Sequence, residues 1–280
     1  MLLGEFELTT VSDGTFRLDG GAMFGVVPKS IWDKINPADP RNRILLSLNC
    51  LLVRARRTAG KNILIDTGIG SRCHERSCKI YEITRSPGLE ENLKRVGTPP
   101  EKIDFVILTH LHFDHCGGNT KLDAKGNLIP SFPNAQYFIQ RKEWEDALSP
   151  NERAKGSYRE DDLLALERAG QLKLIDGDFE VAPGIRAVVT GGHTRGHQIV
   201  MIESAGKRCI FWGDLIPTTG HINVPYIMSY DLYPLDTIAE KKKWEEVAVS
   251  EKCLCYFEHD PRITFAYLER KGKHIIANAM

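Results

Sequence analysis

The sequence predicts a layered α/β or α+β protein, and its length, its composition and its hydrophobic patterning lead to this prediction. Apolar runs typical of strands alternate with segments of helical spacing, and turn residues separate them. The 280 residues are enough for one large domain or two small ones with a sizeable core. Hydrophobic residues make up 42% and charged residues 26% of the chain, as in ordinary globular proteins. Strands with helices between and after them form layers in such proteins.

The apolar runs and the helical spacing give the individual elements. Strands are predicted over 45–53, 62–66, 103–108, 136–139, 172–175, 185–189, 199–202, 209–212 and 253–257. Helices are predicted over 90–96, 142–148, 161–169 and 236–249. Gly97 and the Pro99-Pro100 pair end the first helix, because glycine caps a helix and proline cannot continue it.

The charge balance and the amino terminus bear on partners and location. Lys+Arg and Asp+Glu each number 37, and nucleic-acid binding usually requires a basic excess or patch, so no nucleic-acid partner is expected. No stretch approaches the roughly 20 apolar residues that span a bilayer, and residues 1–7 lack the features of a signal peptide. We therefore expect a cytoplasmic protein without membrane association, with its seven cysteines as reduced thiols.

Four side chains of metal-ligand type lie within six residues, directly after the strand predicted over 103–108. They are His110, His112, Asp114 and His115. A regular strand would place the first two on one face, and the following turn can bring the other two toward a second point. This arrangement suits two metal ions better than one. Imidazole and carboxylate are ligands for zinc, and also for manganese or iron.

Three more candidate ligands lie downstream, each at the end of a predicted strand. They are His193, Asp214 and His259. Gly192 and Gly213 precede the first two, and glycine allows the backbone to turn tightly and approach a metal centre closely. Taken alone, each residue could belong to an ordinary loop. Taken with the earlier cluster, they predict that distant parts of the chain converge on one site.

The order His-x-His-x-Asp-His, then a distant His, an Asp and a His, resembles the pattern of the metallo-β-lactamase superfamily. The intervals are 78 residues from His115 to His193, 21 from there to Asp214 and 45 to His259. The last two are similar to those of N-acyl homoserine lactonases, whereas the first is longer and predicts an insertion. The Asp66-Thr67-Gly68 segment also resembles an early motif of the superfamily.

The resemblance covers most of the chain, from about residue 45 to 260, and it implies an architecture. We expect a four-layer αβ/βα sandwich of the α+β class, in which two mixed β-sheets face each other between helices. A single domain would span residues 1–280, with a helical insertion around 120–170. The metal site would lie at one edge of the sandwich.

The resemblance also implies a role for each matching residue. One divalent metal ion would be held by His110, His112 and His193, and the other by Asp114, His115 and His259, with Asp214 bridging both. A water or hydroxide between the ions would be the nucleophile. Asp114 would pass a proton to the leaving group, so Asp114 and Asp214 are predicted catalytic residues. Asp66 would orient a ligand imidazole. We expect zinc, with manganese, iron and cobalt as alternatives.

The activity implied by the resemblance is hydrolysis of a lactone or related ester. The small-molecule substrates expected first are acyl homoserine lactones, whose destruction is quorum quenching. Thioester hydrolysis as in glyoxalase II and phosphotriester or phosphodiester hydrolysis are the alternatives. A di-iron redox protein ranks lower, because such proteins carry Glu where His112 stands and also a flavin domain, and a metal-binding scaffold ranks lowest. A homodimer is the assembly considered.

Two departures from the lactonase pattern concern substrate binding. Pro217 stands where characterised lactonases place a substrate-contacting tyrosine, and Arg195 replaces a proline after His193. Three residues are candidates for the missing substrate contact: Tyr226, His221 and Tyr230.

Other residues of ligand type receive structural predictions. His197 is expected to be a hydrogen-bonded structural residue, and Cys116 a small packed one. Cys73, His74 and Cys78 could suggest a small zinc site, but a fourth ligand is lacking, so an exposed loop is predicted there.

Overall fold

The computed structural model describes residues 1–56, 60–72 and 75–280. The strands in these ranges are β1 (Leu2–Leu3), β2 (Phe6–Asp19), β3 (Arg43–Ala55), β4 (Asn62–Ile65), β5 (Phe105–Ile107), β6 (Thr120–Leu122), β7 (Leu128–Pro130), β8 (Gln136–Gln140), β9 (Leu172–Ile175), β10 (Phe179–Ala182), β11 (Ile185–Val189), β12 (Gln198–Ser204), β13 (Lys207–Phe211), β14 (Leu254–Tyr256), β15 (Phe265–Lys271) and β16 (His274–Ala279). The helices are α1 (Gly20–Phe24), α2 (Lys29–Trp32), α3 (Glu75–Ile80), α4 (Leu89–Arg95), α5 (Phe113–Cys116), α6 (Arg141–Leu148), α7 (Glu160–Arg168) and α8 (Pro234–Ser250). The loop prediction for Cys73 and His74 lies outside the described residues.

Two seven-stranded mixed sheets form the centre of the molecule. The first has the strand order β1-β2-β3-β4-β5-β8-β9, and its last four strands run parallel. The second has the order β10-β11-β12-β13-β14-β15-β16 and is antiparallel except between β13 and β14. Helix α8 makes the crossover that this parallel pair requires.

Apolar side chains from both sheets meet in one buried layer. Leu51, Ile65 and Ile107 from the first sheet pack with Val200 and Phe211 from the second. The helices cover the outer faces, where α4, α6 and α7 pack on the first sheet and α8 packs on the second. The predicted αβ/βα sandwich is therefore confirmed. Burial on both faces explains why the central strands are almost continuously apolar.

The strand that the sequence failed to predict is β2, a long partner of β3. Its buried and half-buried positions alternate, which gives a weaker signal than an apolar run. The Asp13-Gly14 pair in its middle is typical of a turn, but here it lies at a bulge between Ser12 and Thr15. Six further strands were missed, and most of their residues are half-buried or exposed: β1, β6, β7, β10, β15 and β16.

Three other features bear on earlier predictions. The range 120–170 holds the β6–β7 hairpin, β8, α6 and α7. No helix in the described ranges combines the length and the apolar character needed to cross a membrane. Free cysteines are found at Cys50, Cys116, Cys209, Cys253 and Cys255. The expectation of reduced thiols is wrong for Cys78, which is disulfide-bonded, because sequence alone does not show which sulfurs come within bonding distance.

Candidate metal centre

The first part of the candidate site follows strand β5. The chain leaves β5 at Ile107 and reaches α5 within a few residues, so the His-x-His-x-Asp-His segment lies at the edge of the first sheet. Asp66, at the end of the neighbouring β4, accepts hydrogen bonds from the backbone N–H and the hydroxyl of Thr109, both at 2.7 Å. These bonds fix the turn that presents His110. All four candidate ligands of the segment are buried.

The second part comes from the second sheet. His193 follows β11, Asp214 follows β13 and His259 follows β14, and all three are buried. Gly213 has a φ of +51°, and a Cβ there would lie 2.8 Å from Nε2 of His197. Only glycine satisfies this turn without strain, so the residue before Asp214 is fixed by geometry.

Three histidines and one oxygen of Asp214 form the first group of candidate ligands. Nε2 of His193 lies 3.0 Å from Nδ1 of His112 and 3.1 Å from Oδ2 of Asp214. Nε2 of His110 lies 3.8 Å from the same Oδ2. The ligand atoms of these four residues all lie within 4.8 Å of one another.

Asp114, His115 and His259 form the second group. The Nε2 atoms of the two histidines are 3.0 Å apart, and they lie 3.8 Å and 3.7 Å from Oδ2 of Asp114. The other oxygen of Asp214, Oδ1, lies 3.5 Å from His115 Nε2 and 3.3 Å from His259 Nε2. The structure therefore brings all seven predicted ligands together, and Asp214 turns one oxygen toward each group.

The donor atoms of the two groups fit a pair of metal ions. Facing ring nitrogens only 3.0 Å apart need a proton or a cation between them. The buried atoms Nε2 of His110 and Oδ1 of Asp214 have no hydrogen-bond partner among the described residues, which is costly for a polar atom. Ligand atoms of a tetrahedral zinc ion with bonds of about 2.0–2.1 Å lie about 3.3 Å apart. The distances described above, from 3.0 to 3.8 Å, bracket this value.

Hydrogen bonds from the opposite ring nitrogens orient the imidazoles. Nδ1 of His115 lies 3.0 Å from Oδ2 of Asp66, as predicted for that aspartate. Nδ1 of His193 donates to Asp231, and Nδ1 of His259 donates to the backbone oxygen of Ser47, both at 2.8 Å. Such partners fix the tautomer and the direction of a ligand.

Neither the Asp231 contact nor the Ser47 contact was predicted. Both partners lie far from their histidines along the chain, Asp231 in a loop and Ser47 on strand β3, and neither stands in a recognisable motif. A reading of local sequence patterns therefore gives no signal for either one.

Burial and neighbouring charges set the protonation of the ligands. Burial, reinforced by His115, lowers the pKa of His110 well below its usual range, and this keeps the imidazole lone pair available. Burial alone would raise the pKa of Asp214, but the imidazoles of His115 and His193 outweigh it and hold that pKa well below its usual range. The group between the two sets of ligands is therefore a carboxylate.

Comparison with known proteins agrees with this geometry. The sequence profile of the metallo-beta-lactamase superfamily matches residues 44–252. The chain belongs to this superfamily. An N-acyl homoserine lactonase of Bacillus cereus is 32% identical over 237 residues, which cover 79% of this chain and 84% of that protein. The chain is a metal-dependent hydrolase of the superfamily.

Two solved structures extend the comparison. A probable metal-dependent hydrolase from Staphylococcus aureus superposes with a TM-score of 0.91 and 32% identity, over all of this chain and 99% of that one. An N-acyl homoserine lactone hydrolase with the product N-hexanoyl-L-homoserine bound at its catalytic metal centre has a TM-score of 0.70 and 26% identity. It covers 93% of this chain and 95% of that one.

Two buried glutamates near the centre of this metallo-β-lactamase fold were not predicted. Glu143, on α6, accepts from the N–H of Leu111 at 3.0 Å and from the hydroxyl of Thr194 at 2.6 Å, so it joins the loops that carry His112 and His193. Burial raises its pKa. Burial also raises the pKa of Glu258 to about 8, and its Oε2 lies 3.1 Å from Nδ1 of His115. Neither residue has a motif around it that marks it as functional.

A cavity of about 220 Å³ opens over the candidate ligands. Its floor is formed by His112, Asp114, His193, Asp214 and His259. Apolar side chains form much of its wall: Leu18, Met23, Leu46, Phe113 and Met228. Tyr81, Tyr230, Arg153, Gly156 and Ser157 complete the lining. The cavity therefore suits a largely apolar molecule whose reacting group lies at the carboxylates and imidazoles.

Among the three candidates for substrate contact, the structure places only Tyr230 in the cavity lining of the described residues. Burial raises the pKa of Tyr230 to about 12, so its phenol remains a hydrogen-bond donor at neutral pH. Tyr226 instead packs edge-on against Phe24, outside the lining.

The expected substrate contact of His221 is wrong. This side chain is fully buried and stacks on Phe24, with ring centroids 4.3 Å apart. Nε2 donates to the backbone oxygen of Met23 at 2.9 Å, and Nδ1 accepts from the hydroxyl of Thr218 at 2.8 Å. Both ring nitrogens therefore have hydrogen-bond partners inside the protein. His221 lies behind the cavity wall and supports Met23, which lines it.

The prediction for His197 is confirmed. Its Nδ1 donates to the hydroxyl of Thr190 at 2.7 Å, and its Nε2 accepts from the backbone N–H of Asp214 at 3.0 Å. His197 is therefore a hydrogen-bonded structural residue that helps position the carboxylate between the two ligand groups.

Proposed function

We propose that this hydrolase opens lactone rings with two zinc ions at the seven-residue site, and that N-acyl homoserine lactones are its leading substrates. The observation that carries the proposal is the position of Asp214, whose two oxygens face separate ligand groups at the floor of an apolar-walled cavity. The 32% identity to an N-acyl homoserine lactonase supports a lactone as the substrate. An activity of this kind would be quorum quenching.

The bound metal ions would supply a water of lowered pKa and a Lewis acid for the lactone carbonyl. The protein would hold the substrate around them. The apolar walls receive the acyl chain and exclude bulk water, and the Tyr230 hydroxyl donates a hydrogen bond to the carbonyl oxygen as it gains negative charge. Asp114 faces His115 and His259 through Oδ2, which leaves Oδ1 to take up the proton that the attacking water loses and to pass it to the leaving alkoxide.

The proposal is tested by measuring metal binding and lactone hydrolysis on the same protein preparations. Metal-depleted protein is reloaded with zinc, manganese, iron or cobalt, the metal per chain is counted, and each form is mixed with N-hexanoyl homoserine lactone. We expect proton release from ring opening in the zinc form. The same preparations are given a thioester, a phosphotriester and a phosphodiester, which cover the alternative activities. Fully loaded protein that opens no lactone would contradict the proposal.

A pair of histidine variants provides the control. His112→Ala removes one nitrogen of the first ligand group, so both the metal per chain and lactone opening should fall. His274→Ala changes an exposed histidine on β16 and should leave both at the wild-type level. Equal losses in the two variants would show that the effect does not come from the site.

A further inference from the structure

Arg153 is a cation on the wall of the substrate cavity. Its Nη2 donates to the backbone oxygen of Ser229 and, at 3.5 Å, to that of Asp231. Within residues 1–56, 60–72 and 75–280, no carboxylate lies within ion-pairing distance of its guanidinium. The two carbonyls hold one nitrogen of the group, and its remaining N–H donors are not used by the described protein.

Several other arginines of this chain have acidic partners. Arg195 pairs with Asp146 at 2.6 Å, and Arg43 pairs with Asp39 at 2.7 Å. Arg153 differs from these two in having no acidic partner among the described residues. Its position in a substrate cavity distinguishes it further from an ordinary solvated side chain.

Arg153 also stands where two cavities meet. A second cavity, again of about 220 Å³, shares four lining residues with the first: His112, Arg153, Ser157 and Tyr230. Ser229 and Leu232 form part of its far wall. A molecule with its ester at the candidate ligands could extend past Arg153 into this second space.

The acidic and basic side chains of the cavity lining differ in whether they belong to the candidate metal site. The lining carboxylates, Asp114 and Asp214, both belong to the ligand groups. Among the described lining residues, Arg153 is the only lysine or arginine. With a neutral substrate, the free N–H donors of Arg153 would bind only water. An anionic group on the substrate would instead form an ion pair with Arg153, which no carboxylate of the described protein does.

We infer that Arg153 selects substrates that carry a carboxylate on the part of the molecule remote from the scissile ester. This inference rests on the proposed lactone hydrolysis. A guanidinium recognises a carboxylate with paired N–H donors, and such charge-assisted bonds are stronger than neutral ones. Because Arg153 is exposed, water weakens the pairing, and we expect a preference of about tenfold.

The experiment uses homoserine lactones whose acyl chains have equal length and end in a methyl group, a carboxylate or a trimethylammonium group. Values of kcat/KM are measured for the zinc-loaded wild type, Arg153→Gln, Arg153→Lys and the control Lys155→Gln. Lys155 is an exposed cation two residues away that is not part of the cavity lining. Calorimetric binding of the carboxylate-ended and methyl-ended lactones accompanies each assay.

We expect the wild type and Lys155→Gln to prefer the carboxylate-ended lactone about tenfold over the methyl-ended one, and to use the cationic one least. Arg153→Gln should use the carboxylate-ended and the methyl-ended lactone with equal kcat/KM, and Arg153→Lys should keep part of the preference. Equal rates of the wild type on all three chain ends, or an equal loss by Arg153→Gln on all three, would overturn the inference.

The binding measurement separates this inference from the proposed function. If no lactone were opened, lactone hydrolysis would fail, but tighter binding of the carboxylate-ended compound to the wild type than to Arg153→Gln would still support anion selection. Equal binding of both compounds to both proteins would overturn the inference even if ring opening were observed.

Discussion

Nδ1 of His193 lies 2.8 Å from Oδ1 of Asp231, and the other oxygen of that carboxylate accepts the N–H of Met228 at 3.1 Å. Met228 lines the substrate cavity, and His193 belongs to the first ligand group. One carboxylate therefore fixes both a candidate metal ligand and a piece of the cavity wall. A substitution at Asp231 should therefore reduce the metal affinity more than it reduces the stability of the fold.

For Asp231→Asn we expect metal affinity to fall by roughly 10–100-fold, because an amide orients the imidazole less strongly than a carboxylate. Competition with a chromophoric chelator measures the affinity directly. Asp236→Asn, an exposed change in the first turn of α8, is the matched control and should retain wild-type affinity. Unchanged zinc affinity in Asp231→Asn would refute a positioning role.

Gly213→Ala should destabilise the protein by about 2–4 kcal/mol, since a Cβ would crowd His197 and Thr109 in addition to straining a positive φ. Urea unfolding of the metal-free protein measures the free energy of unfolding. Gly206→Ala is the control, because Gly206 has a φ of +71° with nothing within 4 Å of the added Cβ. It should cost only about 1 kcal/mol. Equal costs at the two glycines would argue against the crowding.

Tyr230→Phe should lower kcat for lactone opening by roughly 10–100-fold with little change in KM, because the lost hydroxyl acts on the developing oxyanion. Metal content and the unfolding midpoint should stay at wild-type values. Tyr226→Phe removes a hydroxyl outside the cavity lining and should leave kcat unaltered. A larger loss of kcat in Tyr226→Phe than in Tyr230→Phe would show that Tyr226, and not Tyr230, makes the substrate contact.

Glu245 predicts a pH dependence of stability. Burial raises its pKa from the ordinary 4.5 to about 7, against the attraction of Lys241 and Arg270. The folded state therefore keeps this proton where the unfolded state releases it, and the contribution of Glu245 to stability falls as pH rises from about 4.5 to 7.

Glu245→Gln abolishes this titration. The stability of the variant relative to the wild type should therefore rise by about 1–3 kcal/mol between pH 4.5 and 7.5. Urea unfolding across this range tests it, with the exposed Glu167→Gln as the control. Parallel pH curves for the wild type and Glu245→Gln would rule out the raised pKa.

The sequence predicted the central strands well, and it predicted which distant residues the fold brings together, because both leave strong local signals. Buried strands such as β3 and β12 appear as apolar runs, and the ligand residues appear as a compact motif with distant partners at characteristic intervals. The sandwich itself followed from the resemblance, since periodicity alone does not show which strands pair.

The remaining features depend on contacts between distant parts of the chain. Asp231, Glu143 and Arg153 acquire their roles only through the folded geometry. Strand β2 was missed because its pairing with β3 overrides a turn-like Asp-Gly pair. His221 was one of three candidates for substrate contact, but its side chain stacks on Phe24 and points away from the cavity.

The candidate ligands come from both sheets: His110 to His115 follow a strand of the first, and His193, Asp214 and His259 follow strands of the second. Cations held there would cross-link the two halves of the sandwich at one rim. Sliding or splaying of the halves would then require breaking coordination bonds, so metal loading should slow amide hydrogen exchange in the strands of both sheets together. The metal ions would thus stabilise the packing of the two sheets in addition to their role in catalysis.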